Sequence, residues 1–326
     1  MKHIYARNVN EALVIGLNAL KVEGVKRDSR NGPVQVFPTP VVTQYTQPRE
    51  RVLFYPERDA NPFFHFMEAL WMLRGRADVE WISQFSSNIA NYSDDGITFH
   101  GAYGHRWRFH FDLDQVEKII ELLKANPDDR RTVLQMWDPN ADLGKEGKDF
   151  PCNLTATFRI NPYGSLDMTV FNRSNDMIWG AYGANAVHFS MLQEYMACMI
   201  GVPVGQYWQI STNFHAYQDT LDKHGHVTQN VASAGAYEHD VYPFPMVNTR
   251  PEVWHSELDM FMTEGPVMGY TDPFFKKVAV PMLQAWQAWK DPDKNDKGLR
   301  AYTLAESIAA TDWKKACIEW LKRRMK

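Results

Sequence analysis

Two stretches of the sequence predict long apolar helices, and the first of them has almost no polar face. Residues 62–74 begin at Pro62, stop just before Gly75 and contain one carboxylate, that of Glu68. Residues 185–200 form a second long apolar stretch. A helix that is apolar nearly all round must be covered on every side, so the first segment is expected to be buried. With 326 residues, the chain is long enough to build the large core that this requires.

Strand and helix patterns alternate along the rest of the chain. Apolar spacing predicts further helices over residues 9–22, 114–125, 214–223 and 302–324. Strands are predicted within 33–52 and over 132–137, 154–160, 166–171 and 204–212. The turn-rich loop 161–165 predicts a hairpin between two of them. This mixture predicts an α/β (α+β) fold, and without a clear linker we expect a single domain over 1–326 with a C-terminal helical extension over about 255–326.

The composition argues against several classes of function. Charged residues make up 23% of the chain and the formal net charge is −4, so no global charge attracts it to nucleic acid or to a membrane. No apolar run approaches the length of a membrane span, and residues 1–5 lack the apolar core of a signal peptide. The Cys and His spacings form no zinc pattern, so we expect no metal.

Three cysteines, Cys152, Cys198 and Cys317, are far apart and cannot all pair. This favours a reducing compartment, and we expect the protein in the cytoplasm. Cys198 lies in an apolar run and is predicted to be in the core. Cys317, on the amphipathic terminal helix, is predicted to be in the core or inert.

Cys152 lies between two arginine-containing segments, with Arg130 and Arg131 upstream and Arg173 downstream. Guanidinium groups lower the pKa of a nearby thiol and bind phosphate through a planar set of donors. The pattern therefore predicts a nucleophile beside an anion site, acting on a small phosphorylated substrate. The alternative for Cys152 is a small buried hydrophobic residue. Arg130 and Arg131 could equally cap the helix before them.

Glu68 has two interpretations, because an unpaired carboxylate is costly to bury. It either forms a salt bridge with Arg74 or Arg76, or it acts as a general acid and base.

Two interpretations also remain for Asn185, His215 and Tyr217. Asn185 is either a helix N-cap or an amide that reads the edge of a base. His215 and Tyr217 either belong to the core or donate hydrogen bonds to a sugar hydroxyl.

Several ordered motifs over about residues 8–250 resemble the thymidylate synthase superfamily, which includes thymidylate synthases and the pyrimidine nucleotide hydroxymethylases of phages. In chain order they are Ser29-Arg30-Asn31-Gly32, the helix around Glu68, Tyr103-Gly104-His105-Arg106-Trp107-Arg108, Asp129-Arg130-Arg131, Pro151-Cys152, Arg173-Ser174-Asn175-Asp176 and His215-Ala216-Tyr217.

The resemblance implies a folate-dependent one-carbon transfer to a pyrimidine nucleoside monophosphate. Its catalytic residues are Cys152, which adds to C6 of the base, with Glu68, Tyr103 and Asp176. Its substrate-binding residues are Arg30, Arg130, Arg131, Arg173, Ser174, Asn185, His215 and Tyr217. The cofactor 5,10-methylenetetrahydrofolate is expected beside Asp176, Tyr92 and Glu68. Arg130 and Arg131 are expected to reach across a homodimer interface to the partner's phosphate site.

Four departures from the synthase pattern favour hydroxymethylation over methylation. Asn153 follows the nucleophile where synthases have His, and Asn175 stands where they have Cys. Tyr92 stands in place of a tryptophan that packs against the exocyclic methylene, so water has access. The chain also ends in the basic run 320–326 instead of a short apolar tail. A phage that makes modified DNA is the natural setting for such an enzyme.

The base depends on Asn185, because an amide can donate to O4 and accept from N3–H of uracil. Asn185 matches the family's base-reading position only if one residue is inserted after Gly180; otherwise Ala184 occupies it. The expected substrate is dUMP, followed by dCMP and then CMP. Alternatives are a thymidylate synthase, a nucleotide-binding regulator, and a cysteine hydrolase that uses His188 or His215.

Overall fold

A computed structural model describes residues 1–29, 31–229 and 235–325. In these ranges eight strands form one mixed sheet, which confirms the predicted fold class. The strands are β1 (Lys2–Ala6), β2 (Val25–Ser29), β3 (Gly32–Val36), β4 (Val41–Tyr45), β5 (Val133–Gln135), β6 (Asn153–Ile160), β7 (Leu166–Asp176) and β8 (Val204–Tyr217). Their order is β1-β4-β8-β7-β6-β5, and the β2–β3 hairpin pairs with β8 through β3.

The helices surround this sheet. They are α1 (Val9–Glu23), α2 (Pro62–Leu73), α3 (Val79–Ser83), α4 (Tyr103–Arg108), α5 (Gln115–Ala125), α6 (Pro139–Asp142), α7 (Asn185–Ile200), α8 (Gln218–His224), α9 (Ala236–His239), α10 (Pro251–Glu264), α11 (Val280–Lys290), α12 (Lys297–Glu306) and α13 (Thr311–Arg324). Short 3₁₀ turns occupy Pro56–Arg58, Ser87–Tyr92 and Gly225–Gln229, and wider π-type turns occupy Met177–Ala184 and Phe275–Ala279. None of the helices in the described ranges is long and apolar enough to cross a membrane.

The predicted hairpin forms between β6 and β7. These strands pair antiparallel, and the side chain of Asn161 closes the turn by accepting from the backbone N–H groups of Tyr163 at 2.9 Å and Ser165 at 3.1 Å. Gly164 takes a positive φ of 80° there, which an L side chain rarely adopts. β7 and β8 instead run parallel, and α7 makes the long connection that a parallel pair needs.

Strand β8 is longer than predicted, and the helix predicted over 214–223 begins only at Gln218. His215 and Tyr217 pair with Val36 and Val34 of β3. Those backbone partners come from a distant part of the chain, so local sequence patterns could not reveal them. The closing helix predicted over 302–324 is also wrong as one element, because α12 ends at Glu306 and α13 begins at Thr311.

Helices α2 and α7 lie in the interior, as the apolar sequence of α2 predicted. Phe63, Phe66 and Met67 of α2 are fully buried. The C-terminal helix α13 packs on α2, with ring centroids 5.2 Å apart for Phe66 and Trp313 and 5.7 Å apart for Phe63 and Trp320. The division into a core and an extension stays a prediction.

The prediction for Cys317 is confirmed, since it is fully buried, but the prediction for Cys198 is wrong, since it is exposed. Cys198 lies on α7 among residues that are otherwise almost all buried. It is close to the C-terminal end of the helix.

One face of the sheet retains accessible apolar side chains. Tyr207 and Gln209 of β8 point to the buried face, whereas the alternating residues Trp208 and Ile210 are half-buried. Ile210 lies beside Phe171 of β7 in the parallel pairing. Another protein surface can therefore pack against this face of the sheet.

Candidate active site

A cleft of about 440 Å³ opens between α2, α7 and the ends of β7 and β8. It brings together nine of the predicted site residues, which are Glu68, Tyr92, Tyr103, Cys152, Ser174, Asp176, Asn185, His215 and Tyr217. Residues from seven segments that are far apart in sequence therefore meet in one place.

Hydrogen bonds to its backbone hold Cys152 in place. The hydroxyl of Tyr103 accepts hydrogen bonds from the N–H groups of Cys152 at 3.0 Å and Asn153 at 3.2 Å. Gly104 permits this arrangement, because a Cβ there would collide with the backbone of Met72 in α2. On the other side, the backbone N–H of Arg173 donates to the carbonyl of Cys152 at 2.9 Å.

The thiol of Cys152 is partly buried, and burial raises its pKa. The positive charge of Arg173 lowers this pKa and the negative charge of Asp149 raises it, with the net result above the ordinary value. Arg173 therefore lowers the thiol pKa, as expected. The expectation that the arginines bring this pKa below its ordinary value is wrong. Desolvation outweighs one guanidinium, and no contribution comes from Arg130 or Arg131.

Glu68 is paired neither with Arg74 nor with Arg76, so that alternative is wrong. Arg74 pairs with Asp259 and Arg76 with Asp78. Arg74 and Arg76 lie at the C-terminal end of α2, more than a helical turn beyond Glu68.

Glu68 instead lies beside His188 of α7. Its Oε2 is 2.9 Å from His188 Nε2, in close contact but without the alignment of a hydrogen bond. His188 was named only as a possible hydrolase base. The signal that could have revealed this pair was an ionisable residue on each of the two buried helices, since buried polar groups seek partners.

Asn185 is not a helix N-cap. It is the first residue of α7, and its side chain makes no capping hydrogen bond. The preceding turns, Met177–Ala184, are wide and break at Tyr182 and Gly183, where the backbone is not helical. They bring Asn185 into the cleft, and Ala184 also lines it.

A chain of side-chain amides fixes the orientation of Asn185. Gln209 donates to the backbone carbonyl of Ala181 at 3.1 Å, so its own oxygen faces the amide nitrogen of Asn175, 3.1 Å away. The oxygen of Asn175 accepts from Asn185 Nδ2 at 3.1 Å, and Asn185 Oδ1 accepts from Asn153 at 3.3 Å. Since a carbonyl can only accept, each amide in the chain has one allowed orientation.

The two asparagines that depart from the synthase pattern, Asn153 and Asn175, are thus the direct partners of Asn185. Each end of the Asn185 amide retains one position for a ligand. Nδ2 has a second hydrogen to donate, and Oδ1 has a second lone pair to accept. The sequence indicated that both positions were unusual, but their contact with Asn185 depends on the sheet.

Asp176 lies at the start of the wide turns. Its Oδ1 accepts from the N–H groups of Ile178 and Trp179, each at 2.8 Å, while Oδ2 is buried and has no partner in the described chain. Burial raises the pKa of Asp176 and lowers that of His215 next to it.

Arg58 was not predicted, although it is buried behind Trp179, which lines the cleft. Its guanidinium carbon lies 4.1 Å from the ring centroid of Trp179, and two of its nitrogens donate to the carbonyl of Ile178. Trp179 is 51% exposed and lines the cleft. An exposed indole beside a carboxylate oxygen without a partner fits a flat heterocycle that carries N–H donors, such as the pterin of a folate.

None of the described arginines that were expected to hold a phosphate lines the cleft. Arg173 faces solvent near Cys152 and donates through Nε to the carbonyl of Pro151 at 3.0 Å. Arg130 and Arg131 are exposed outside the cleft; Arg131 pairs with Asp129, and Arg130 lines a separate surface cavity on β6 and β7. A phosphate site formed by these two beside their own chain's Cys152 is therefore wrong. Arg30 lies outside the described residues.

The far end of the cleft is formed by His215 and Tyr217. Their ring centroids are 5.5 Å apart, and His215 Nδ1 is 2.9 Å from the side-chain oxygen of Asn213. The amide of Asn31, next to the tip of the β2–β3 hairpin, is 3.5 Å from the hydroxyl of Tyr217. No group of three or more His, Cys, Asp or Glu side chains that could hold a metal occurs in the described part of the chain.

Comparison with known proteins agrees with this geometry. The thymidylate synthase family profile matches residues 22–263. A deoxyuridylate hydroxymethyltransferase of Pseudomonas phage M6 is 55% identical to the chain, over 99% of this chain and 95% of the relative. The enzymes of the same name from Bacillus phage SP01 and Delftia phage PhiW-14 are 36% and 33% identical, over 69% and 66% of this chain and 63% and 62% of theirs. The chain is therefore a member of the thymidylate synthase family.

Proposed function

We propose that this protein transfers a hydroxymethyl group to C5 of dUMP, with 5,10-methylenetetrahydrofolate as the one-carbon donor. The observation that carries the proposal is the cleft itself, in which Cys152 and the oriented amide of Asn185 face the same space. The names of the three phage relatives support the same substrate and the same product.

Cys152 acts as the nucleophile. Its sulfur adds to C6 of the uracil, which makes C5 electron-rich enough to form a carbon–carbon bond. Because the thiol is favoured over the thiolate when the cleft is empty, substrate binding must bring cationic groups such as Arg173 close to it. Tyr103 keeps the backbone at Cys152 in position.

Glu68 and His188 handle protons at the base through water. When bound, 5,10-methylenetetrahydrofolate supplies the one-carbon unit. Asp176 and Trp179 hold its pterin, the first through the carboxylate oxygen without a partner and the second through its exposed ring. Tyr92, 59% exposed at the same cleft, leaves room for the water that hydroxymethylation needs.

Asn185 selects uracil. Its Nδ2 retains a hydrogen for O4 and its Oδ1 retains a lone pair for N3–H, in the one orientation that the amide chain allows. Cytosine presents the opposite pattern at these two positions, so an amide fixed in this way disfavours dCMP.

We also propose a homodimer that joins the open sheet faces of two copies. The half-buried Phe171, Trp208 and Ile210 lie on that face, and exposed Arg130 is close to the same strands. Arg130 and Arg131 then reach the phosphate in the partner's cleft. We expect sedimentation to give a dimer, and a fully active monomer would contradict the proposal. The free thiol of Cys152 is consistent with a reducing cytoplasm, that of the host if a phage encodes the protein.

Mass spectrometry of the products tests the function directly. The purified protein is incubated with 5,10-methylenetetrahydrofolate and equal amounts of dUMP, dCMP and CMP. We expect dUMP to gain about 30 mass units, which corresponds to CH₂O. A gain of about 14 units, CH₂, would identify a thymidylate synthase, and a gain on dCMP or CMP would contradict the substrate.

The matched control is Cys152→Ala. We expect it to form no product while it still binds dUMP, because phosphate, sugar and base contacts remain. Turnover at the wild-type rate would rule out Cys152 as the nucleophile.

A further inference from the structure

The cleft contains three carboxylates that the fold places near Cys152, and the proposed function uses only two of them. Glu68 is beside His188, and Asp176 accepts two backbone hydrogen bonds at the start of the wide turns. The third is Asp149, three residues before the nucleophile, and it also lines the cleft.

One oxygen of Asp149 is fixed and the other is free. Oδ2 accepts from the backbone N–H of Gly101 at 2.8 Å. Oδ1 accepts no hydrogen bond from any described residue, and the carboxylate takes part in no ion pair within the described ranges. A Cβ on Gly101 would lie 2.9 Å from Oδ1, so the glycine leaves the carboxylate room at the wall of the cleft.

The position of Asp149 has an electrostatic cost. Its negative charge raises the pKa of the Cys152 thiol and so opposes formation of the thiolate. Burial in turn raises the pKa of Asp149 itself, which makes the carboxylate a stronger base than one in water. A half-buried carboxylate with one free oxygen has the properties of a general base that acts on a water molecule.

We propose that Asp149 is the general base that activates the water added to the exocyclic methylene carbon, a step that rests on the proposed hydroxymethylase function. The water oxygen forms a bond to the methylene carbon, and the water proton passes to Asp149 Oδ1. The electron pair of the C5=CH₂ double bond moves toward C5 and the O4 carbonyl. This enolate then re-forms the C5=C6 double bond and expels the Cys152 sulfur as a thiolate.

The proposal assigns different protons to different carboxylates. Removal of hydrogen from C5 precedes water addition and belongs to the Glu68 side of the cleft, whereas Asp149 acts only on water. Loss of Asp149 should therefore block the last chemical step and leave the earlier ones in place.

The test is a single-turnover reaction with the enzyme in excess over dUMP that carries deuterium at C5. In Asp149→Asn, we expect deuterium loss at nearly the wild-type rate and release of the hydroxymethyl nucleotide slowed at least about 100-fold. Intact-protein mass spectrometry should show the nucleotide retained on Cys152. If both events slow by the same factor, or neither slows, the proposal is overturned.

The asparagine variant keeps an oxygen that can accept from Gly101, so its fold and dUMP binding should persist. Glu146→Gln is the matched control, because Glu146 is an exposed carboxylate on the same loop outside the cleft. It should behave as wild type in both measurements. If the wild-type product gains about 14 instead of 30 mass units, the proposed function itself has failed and this inference falls with it.

A second measurement needs no folate. The hydroxymethyl nucleotide is incubated with the enzyme in ¹⁸O-labelled water, where Cys152 adds to C6, the hydroxyl leaves with a proton from Asp149, and labelled water returns. We expect wild type and Glu146→Gln to incorporate ¹⁸O and Asp149→Asn to do so at least about 100-fold more slowly. Equal incorporation by all three proteins would overturn the role of Asp149.

Discussion

The side chain of Asn185 has two chemically different ends, and its proposed role in reading the base depends on which end faces which atom. A free amide can rotate to suit either uracil or cytosine. Here Asn175 takes a hydrogen bond from Nδ2 and Asn153 gives one to Oδ1, so rotation would break both. A rotation that leaves a buried donor or acceptor without its partner costs about 1–3 kcal/mol.

At this scale we predict the effect of Asn185→Asp. A carboxylate offers acceptors only, which suits the amino group of cytosine and repels O4 of uracil. The ratio of kcat/KM for dUMP to that for dCMP should fall at least about tenfold, the factor that corresponds to about 1.4 kcal/mol. Steady-state kinetics with each nucleotide measures it. An unchanged ratio would mean that Asn185 does not contact the base.

At the scale of elements, the site is produced by the places where strands end and turn. The wide turns Met177–Ala184 connect β7 to α7, and they direct Asn185 toward the cleft instead of along the helix surface. π-type turns are rare and frequently occur at functional sites. The extension of β8 to Tyr217 likewise carries His215 and Tyr217 on a rigid strand.

The amide chain links four elements, and Asn175→Ala removes the member that joins Gln209 to Asn185. The KM for dUMP should rise about tenfold, since one amide hydrogen of Asn185 loses its partner at a cost of about 1–3 kcal/mol. The value of kcat should change less, because no reacting atom is touched. Thr212→Ala, at an exposed position of β8, is the control. A fall in kcat with unchanged KM would contradict an orienting role.

At the scale of the whole molecule, the C-terminal helices are part of the core that supports the cleft. Helix α2 carries Glu68 on one side and packs against α13 through Phe63 and Phe66 on another. Arg324 at the end of α13 also pairs with Asp59, next to the buried Arg58. The support of the cleft therefore extends to the last described residues of the chain.

Trp313→Ala tests this support. Trp313 is 6% exposed, and removal of a buried tryptophan typically costs about 3–5 kcal/mol of the free energy of unfolding. Denaturant unfolding monitored by circular dichroism measures the loss. Met268→Ala, at a side chain that is 96% exposed, should change the free energy by less than about 0.5 kcal/mol. Equal stability of the two variants would show that α13 contributes little to the core.

Asp312 makes the stability depend on pH. It is buried at the start of α13, where Tyr237 donates to it at 3.0 Å, and burial raises its pKa from 3.8 to about 7. The folded state therefore binds the proton more tightly than the unfolded state does. The contribution of Asp312 is fully present below pH 3.8 and is lost as the pH rises through about 7.

We therefore expect the free energy of unfolding of the wild type to fall between about pH 4 and pH 7. In Asp312→Asn this fall should be absent. Denaturant unfolding at both pH values measures the difference. The exposed Asp293→Asn in the loop before α12 should retain the wild-type dependence. The same slope in all three proteins would exclude Asp312 as its source.

Most of the elements and nine residues of the cleft were predictable from the sequence. The apolar stretches predicted α2 and α7, the turn residues predicted the β6–β7 hairpin, and the motifs indicated the family and nine residues that meet in the cleft. These features depend on local spacing and on residue type, which a sequence displays directly.

The pairings between side chains, in contrast, became visible only in the folded chain. The fold placed Glu68 beside His188 instead of Arg74, oriented Asn185 through Asn153 and Asn175, and left Arg130 outside its own chain's cleft. The physical reason is that hydrogen bonds and burial depend on distances of a few ångströms between residues far apart in the chain. Such distances are set by how the sheet and the buried helices pack together.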